Sequence, residues 1–242
     1  MKLLKCTTGQ SPSTIKRALL TGVVALGVAG QQAGASCGSA FCTVNTGWNV
    51  RGVQTEPGLR FDLQFQYIDQ DQPRSGSSKV AVGQIPMDHD EVKTINRNWI
   101  ASVDYAMDDK WGVSVVAPLV DRSHTHLDND QAPPVSESWN FTKLGDVRVV
   151  GRRQWRNESV EAQRLDYYGI TFGLKLPTGD TGVQNSDGEV AERSLQPGTG
   201  TTDLLLGAYF QRVLGSGVSW FADARMQEAL NSDQNNKPGT QL

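Results

Sequence analysis

From Leu59 to Tyr67 the chain alternates without error. Leu59, Phe61, Leu63, Phe65 and Tyr67 are apolar or aromatic, while Arg60, Asp62, Gln64 and Gln66 between them are charged or amide. Successive side chains of a strand point to opposite faces, so a period of two predicts a strand with one apolar and one polar face. A helix would mix both classes on every face. Six more stretches show strand character. Around 92–106, Trp99, Ala101, Val103 and Tyr105 oppose Asn98, Ser102 and Asp104. Over 111–119, Trp111, Val113, Val115, Ala117 and Leu119 stand in register, and over about 144–155, Val147 and Val149 alternate with Asp146 and Arg148. Around 165–176, Tyr168, Ile170, Phe172, Leu174 and Leu176 share a face opposite Gly169, Thr171, Gly173 and Lys175. The sixth stretch, about 202–214, is apolar on both faces. The seventh, about 218–228, sets Val218, Trp220, Ala222, Ala224 and Met226 against Ser219, Asp223, Arg225 and Gln227.

The connections sharpen this to a topology. Met107 to Lys110, a short segment near Asn157 to Ala162, and Gly215-Ser216-Gly217 are tight links of the hairpin kind. Residues 69–91, 120–143 and 177–201 are long, polar and rich in Asp, Ser, Pro and Gly. Long and short links therefore alternate, as in transmembrane barrels with short periplasmic turns and long external loops. Three loops of that length would be unusual in a soluble sandwich. Tyr67, Trp99, Tyr105, Trp111, Trp155 and Trp220 fall near strand ends or on apolar faces, where barrels carry aromatic girdles; packing in a soluble β domain is the plainer alternative. The expected fold is all-β, an antiparallel up-and-down transmembrane β-barrel. Seven strands are an odd number, single-chain bacterial barrels use even numbers, and Asn231 to Leu242 reads as loop. The expectation is a barrel incomplete at its C-terminus in this chain, or one closed by self-association, because an open sheet in lipid leaves backbone groups unpaired.

The N-terminus adds a compartment. Lys2, Lys5, Lys16 and Arg17 precede the uncharged stretch Ala18 to Gly30, and Ala33-Gly34-Ala35 offers small residues before Ser36. That is the pattern of a secretory signal over 1–35, and the apolar run is too short for a spanning helix, which needs about 20 residues. A lipoprotein with Cys37 acylated is the weaker alternative. Residues 36–57 then form an N-terminal periplasmic segment, and 58–242 the barrel. Cys37 and Cys42 remain after cleavage, and a local disulfide between them suits an oxidising compartment. Removing the signal leaves 19 basic against 26 acidic residues, a net charge of −7. A nucleic-acid partner is not expected from such a balance. No apolar run long enough for a spanning helix follows the signal, and a barrel needs none.

Two motifs carry a resemblance. Gly173 to Asp180 reads GLKLPTGD, and Leu195 to Phe210 reads LQPGTGTTDLLLGAYF. Over roughly 165–215 the chain resembles the diverse outer-membrane β-barrel family named for the meta-pathway of phenol degradation, whose members commonly end one strand in K-L-P-T-G and open the next with P-G-x-G-x-x-D. The start, SCGSAFCTVNTGW over 36–48, looks like a subgroup feature. The resemblance implies a barrel in the outer membrane and a transporter-like role without a defined substrate. Family members are usually longer, in line with an incomplete chain. The residues themselves suggest structural work: Pro177 lacks an N–H and ends the ladder, Gly179, Gly198 and Gly200 permit positive φ, and Asp180 and Asp203 accept hydrogen bonds from loop backbone.

Chemistry is sparse. No nucleophile elbow, zincin helix, phosphate loop or dinucleotide fingerprint occurs, so neither an enzyme nor a bound cofactor is expected. His89, His124 and His126 all fall in the long connections, which would emerge on the same side of the membrane. In extended chain His124 and His126 point the same way, about 7 Å apart. With the neighbouring carboxylates they suit zinc or copper, although polar loop residues facing water are the blander reading. Arg60, Asp62, Gln64, Gln66, Asn98, Asp104, Arg148 and Lys175 form the expected lumen-facing set, opposite lipid-facing Phe61, Phe65, Val103 and Val115. Three functions compete: a channel or transporter, held in outer-membrane lipid, for small solutes including hydrophobic or aromatic ones; a copper- or zinc-binding envelope protein using the loop histidines; and a structural barrel without transport.

Overall fold

The computed structural model of the chain describes residues 56–242, apart from 76, 85–88, 130–131, 160–163 and 216 and the side chains of Ser75 and His89. The expected signal, the Cys37–Cys42 pair and nearly all of segment 36–57 lie outside the described residues.

The described chain is all-β and antiparallel. Its strands are β1 (Gly58–Gln70), β2 (Arg74–Ser75), β3 (Ser78–Lys79), β4 (His89–Ala106), β5 (Trp111–Asp128), β6 (Val135–Leu144), β7 (Val147–Ser159), β8 (Arg164–Leu176), β9 (Asp203–Leu214) and β10 (Ser219–Ala229). They form a curled half-barrel in the order β1-β4-β5-β7-β8-β9-β10, so chain neighbours are sheet neighbours. β2 and β3 pair only with each other, inside the connection from β1 to β4. β5 has two partners along one edge: Trp111–Val116 pairs with β7, and Leu119–Asp128 pairs with β6. Gly145 and Asp146 separate those partners, and the Gly145 N–H donates to the Pro118 carbonyl at 2.8 Å across the break.

The seven expected strands are all present in the expected order, but two are longer than expected and one further strand joins them. β4 begins at His89 rather than near 92, and β5 runs on to Asp128. Most of the expected loop 120–143 is a long β5–β6 hairpin, and β6 is a strand the hydropathy pattern did not show. The reason is clearest in the β5 half of that hairpin. Asp121, Ser123 and Thr125 alternate with Arg122, His124 and His126, so polar residues occupy both faces and no period of two is visible in hydropathy.

Alternation elsewhere divides the sheet cleanly. Along β1, Leu59, Phe61, Leu63, Phe65 and Tyr67 are exposed, and Phe61 keeps 71% of its surface. Arg60, Asp62, Gln64 and Gln66 sit on the other, more covered face. Register carries the division across the sheet: Phe61 lies opposite Val103, Val103 opposite Val115, and Val115 opposite Val149. The covered face has a small apolar cluster of Ile100, Val116, Val150 and Leu205. Around it Asn98, Arg148, Arg152, Gln154 and Lys175 are all buried. A barrel-like sheet with apolar residues outside and polar residues inside inverts the arrangement of a soluble β protein, which buries its apolar face.

Candidate functional site at the long-loop end

The motif segment resolves first. Lys175, near the end of β8, points into the covered face and is 1% exposed. Its Nζ lies 3.1 Å from Asp146 Oδ2 and 2.9 Å from Asp203 Oδ2, and it also donates to the Thr199 hydroxyl. Asp146 Oδ2 accepts from the Thr199 N–H at 2.9 Å, and Asp146 Oδ1 from the Gly179 N–H at 3.0 Å. Asp203 accepts from the Thr201 hydroxyl at 2.7 Å and from Gln227 Nε2 at 2.5 Å. Breaking a buried ion network from one side leaves a charge without compensation, so each member holds the others in place. The Lys of the first motif and the Asp of the second thus form one ion cluster that pins both ends of the 177–202 connection.

Two details of the motif differ from expectation. Of the three motif glycines, only Gly200 has positive φ, at 71°. Gly179 and Gly198 are needed for proximity: a Cβ on Gly179 would sit 2.6 Å from the Gly198 Cα, and one on Gly198 would sit 2.5 Å from the Gly179 carbonyl. The acceptors also divide. Asp180 takes the Gly182 backbone N–H at 2.9 Å, as expected for a loop aspartate, whereas the bonds of Asp203 named above come from side chains. The Gly182 N–H and, less strongly, the Lys143 ammonium hold the Asp180 carboxyl below its ordinary pKa. Pro177 directly follows the last residue of β8, consistent with ladder termination.

From these anchors the 177–202 connection folds over the β5–β6 hairpin. Leu195 and Ala191 pack against Trp139 and Phe141. The Trp139 indole N–H donates to the Glu189 carbonyl at 3.0 Å. Arg122, 1% exposed, donates through Nη1 to the Leu195 carbonyl at 2.7 Å and through Nε to Asn96 Oδ1 at 2.7 Å. Gln196 is fully buried, accepting from the Val183 N–H at 3.0 Å and donating to the Ala191 carbonyl at 2.6 Å. A connection without regular structure thereby covers the inner face at this end.

His124 and His126 lie beneath that cover, and here the structure corrects their placement. They are strand residues of β5, 2% and 5% exposed, not loop residues in water. Thr94 Oγ1 stands 2.7 Å from His124 Nδ1, His124 Nε2 stands 3.2 Å from His126 Nδ1, and His126 Nε2 stands 3.2 Å from Glu137 Oε2. Two neutral imidazoles satisfy this line when Thr94 donates to His124, His124 to His126, and His126 to the carboxylate. Trp139 lies alongside, its ring centroid 4.9 Å from that of His126 and 6.0 Å from that of His124. Glu137 and Trp139 belong to β6, which the expected loop 120–143 hides, so the sequence pattern does not bring them to the histidines. His89 is in β4, with its Cα opposite that of Asp128. Among the described residues no group of three or more His, Cys, Asp or Glu is placed to hold a metal ion.

The expected lumen set sits lower on the same covered face. Arg60 Nη2 is 3.6 Å from Asp104 Oδ2, and the Ser114 hydroxyl also donates to Asp104. Tyr209 donates to Gln154 Oε1 at 2.8 Å. Asn98, 0% exposed, is buried between these groups and the histidine end. At the short-turn end the outer face carries paired cations and rings. Arg153 lies 4.6 Å from the Trp111 centroid and 5.5 Å from that of Trp155, while Arg212 lies 5.4 Å from Phe210 and 5.6 Å from Trp220. In the turn between β4 and β5, Asp108 Oδ1 accepts the N–H groups of Trp111 at 2.6 Å and Lys110 at 2.7 Å, which lowers its pKa. No protein-family model and no curated protein matches this chain.

Proposed function

We propose that this chain is an outer-membrane β-barrel protein, non-enzymatic, that conducts small molecules through a polar interior. The observation that carries the reading is the outer face. From Leu59 to Tyr67 every outward residue of β1 is apolar or aromatic and exposed. Those nine residues cover about 26 Å of strand. At the usual barrel tilt that is about 20 Å of height, close to the apolar band of known barrels. The outward face of β5 agrees: Trp111, Val115 and Leu119 are exposed, and then the same face turns to Asp121, Ser123 and Thr125. Neighbouring strands change character at the same level. Arg97 meets Asp121 at 2.9 Å, and Lys93 meets Asp69 at 3.5 Å. Charges just past an apolar band, with ring-stacked arginines at its other margin, suit two membrane interfaces.

The solute reading rests on the inner face, where Arg60, Asp62, Gln64, Gln66 and Asp104 offer mixed charge and amides to a hydrated path. The resemblance of the Lys175 and Asp203 motifs to an outer-membrane family adds to it. Two measurements test the proposal on refolded protein. In vesicles of brominated lipid, fluorescence of the outward tryptophans should be quenched, and in planar bilayers the protein should produce discrete current steps. Absence of quenching removes the membrane reading. Quenching without any current removes transport and leaves a structural barrel.

A further inference from the structure

We infer that His124 and His126 form a binding site for a divalent transition-metal ion of the copper or zinc class, held under the 177–202 connection. The inference is independent of whether the barrel conducts. It rests on which ring nitrogens meet and on what holds the others. His124 presents Nε2 and His126 presents Nδ1, and the two stand 3.2 Å apart. Zinc binds imidazole nitrogen at about 2.0–2.1 Å, so two nitrogens on one tetrahedral ion lie about 3.3–3.4 Å from each other. The observed separation fits two ligands of one ion after a shift of a few tenths of an ångström.

The far nitrogens are already secured. Thr94 Oγ1 is on His124 Nδ1 at 2.7 Å, and Glu137 Oε2 is on His126 Nε2 at 3.2 Å. Metal-binding imidazoles commonly have the second nitrogen held by a carboxylate, carbonyl or water oxygen, which fixes the tautomer and the ring plane; here a carboxylate and a hydroxyl oxygen stand in those places. Trp139 packs against both rings and limits their rotation.

Proton accounting is consistent. Without metal, the neutral pair shares the proton of His124 Nε2 with His126 Nδ1. Metal binding requires both of those nitrogens bare. His126 keeps its proton on Nε2, donated to Glu137. His124 moves its proton to Nδ1 and donates it to the Thr94 oxygen, whose own hydroxyl proton turns away. The metal replaces a shared proton in position, and the neutral pair binds it with no net proton release. Two protein nitrogens are fewer than the four of a closed zinc site or the three of an open one, so the remaining coordination positions fall to water.

The experiment uses the full chain folded in detergent micelles at neutral pH. Cu(II) and Zn(II) are titrated by calorimetry, and the Cu(II) complex is examined by pulsed electron paramagnetic resonance. One equivalent should bind saturably, with signals from two coordinated imidazoles. His124→Gln and His126→Gln should each abolish that site. Thr94→Val and Glu137→Gln, which leave both ligands in place, should weaken it about 10- to 100-fold. The resonance measurement on the unaltered protein decides the matter even if a histidine variant fails to fold. No saturable binding of either ion, a spectrum without two imidazoles, or equal binding by the His124→Gln, His126→Gln double variant overturns the inference.

Discussion

The two ends of this sheet obey the same alternation and put it to opposite uses. Toward the short turns, the outer face is apolar and the inner face polar, with Phe61 exposed while Asp62 is partly covered. Toward the long connections, both faces are polar, and the inner one is filled by Arg122, His124, Gln196 and the indole of Trp139. Pleating decides only which side a residue takes. The medium on that side decides what the residue must be. Strands β4 and β5 each cross from one regime to the other without interruption, apart from a register shift in β4 between Glu91 and Lys93.

The comparison breaks most easily at the ion cluster. Lys175→Met removes the ammonium that Asp146 and Asp203 share and leaves the Arg148 guanidinium as the other positive charge acting on both, and removing one member of a buried ion pair typically costs about 3–5 kcal/mol. Denaturant titration of the refolded protein should show a loss of that order. A loss below 1 kcal/mol would mean the cluster is hydrated and does not pin the connection.

The outer face gives the next effect. Phe65→Arg should cost about 2–4 kcal/mol if that face meets lipid, whereas Gln64→Arg on the inner face should be better tolerated. Folding yields of the two variants in bilayers separate the outcomes. The reverse ranking would mean a register one residue out, since such a slip exchanges the faces. Equal damage would indicate two packed faces and a soluble sandwich.

A smaller change should follow Arg122→Met, which removes the hydrogen bonds to Asn96 and the Leu195 carbonyl. Bonds to charged groups are worth about 1.5–3 kcal/mol each, and part of this is regained by apolar packing of the methionine. Limited proteolysis should cut within 177–202 several times faster than in the unaltered chain, while the β1–β4 hairpin stays resistant. Uniform acceleration at all sites would show that Arg122 serves the whole sheet rather than the cover.

The smallest effect belongs to the short-turn end. The Trp111 and Lys110 N–H groups lower the pKa of Asp108, so ionised Asp108 stabilises the folded turn. That contribution is present above the unfolded carboxyl pKa of about 3.9 and is lost as pH falls through the lower folded value. Hydrogen exchange at the Lys110 and Trp111 amides, corrected for intrinsic rates, should lose protection below that range. In Asp108→Asn the acid-dependent part of the loss should vanish.

Much of this architecture was legible in the sequence. Seven strands, their order and the face of each residue in β1 follow from alternation, because the two faces of those segments meet different surroundings and select different residues. Short links at Met107–Lys110 and Gly215–Gly217 follow from turn chemistry. The outer half of the β5–β6 hairpin was not legible. With polar residues on both faces of its β5 half, strand and loop have the same hydropathy, and only pairing between distant residues distinguishes them: Asp121 opposite Thr142, His124 opposite Trp139.

The site divides along the same line. Sequence alone put His124 and His126 on one side of an extended chain, since positions two apart share a face. Only the tertiary structure decided that they are buried and that Thr94 and Glu137 hold their outer nitrogens. Likewise the residues of the Lys175 and Asp203 motifs are plain in the sequence, but their meeting with Asp146 is not. Local alternation is written residue by residue, because each side chain must suit its own face. A contact between segments thirty or fifty residues apart depends on the register and curl of the whole sheet, and no local pattern encodes it.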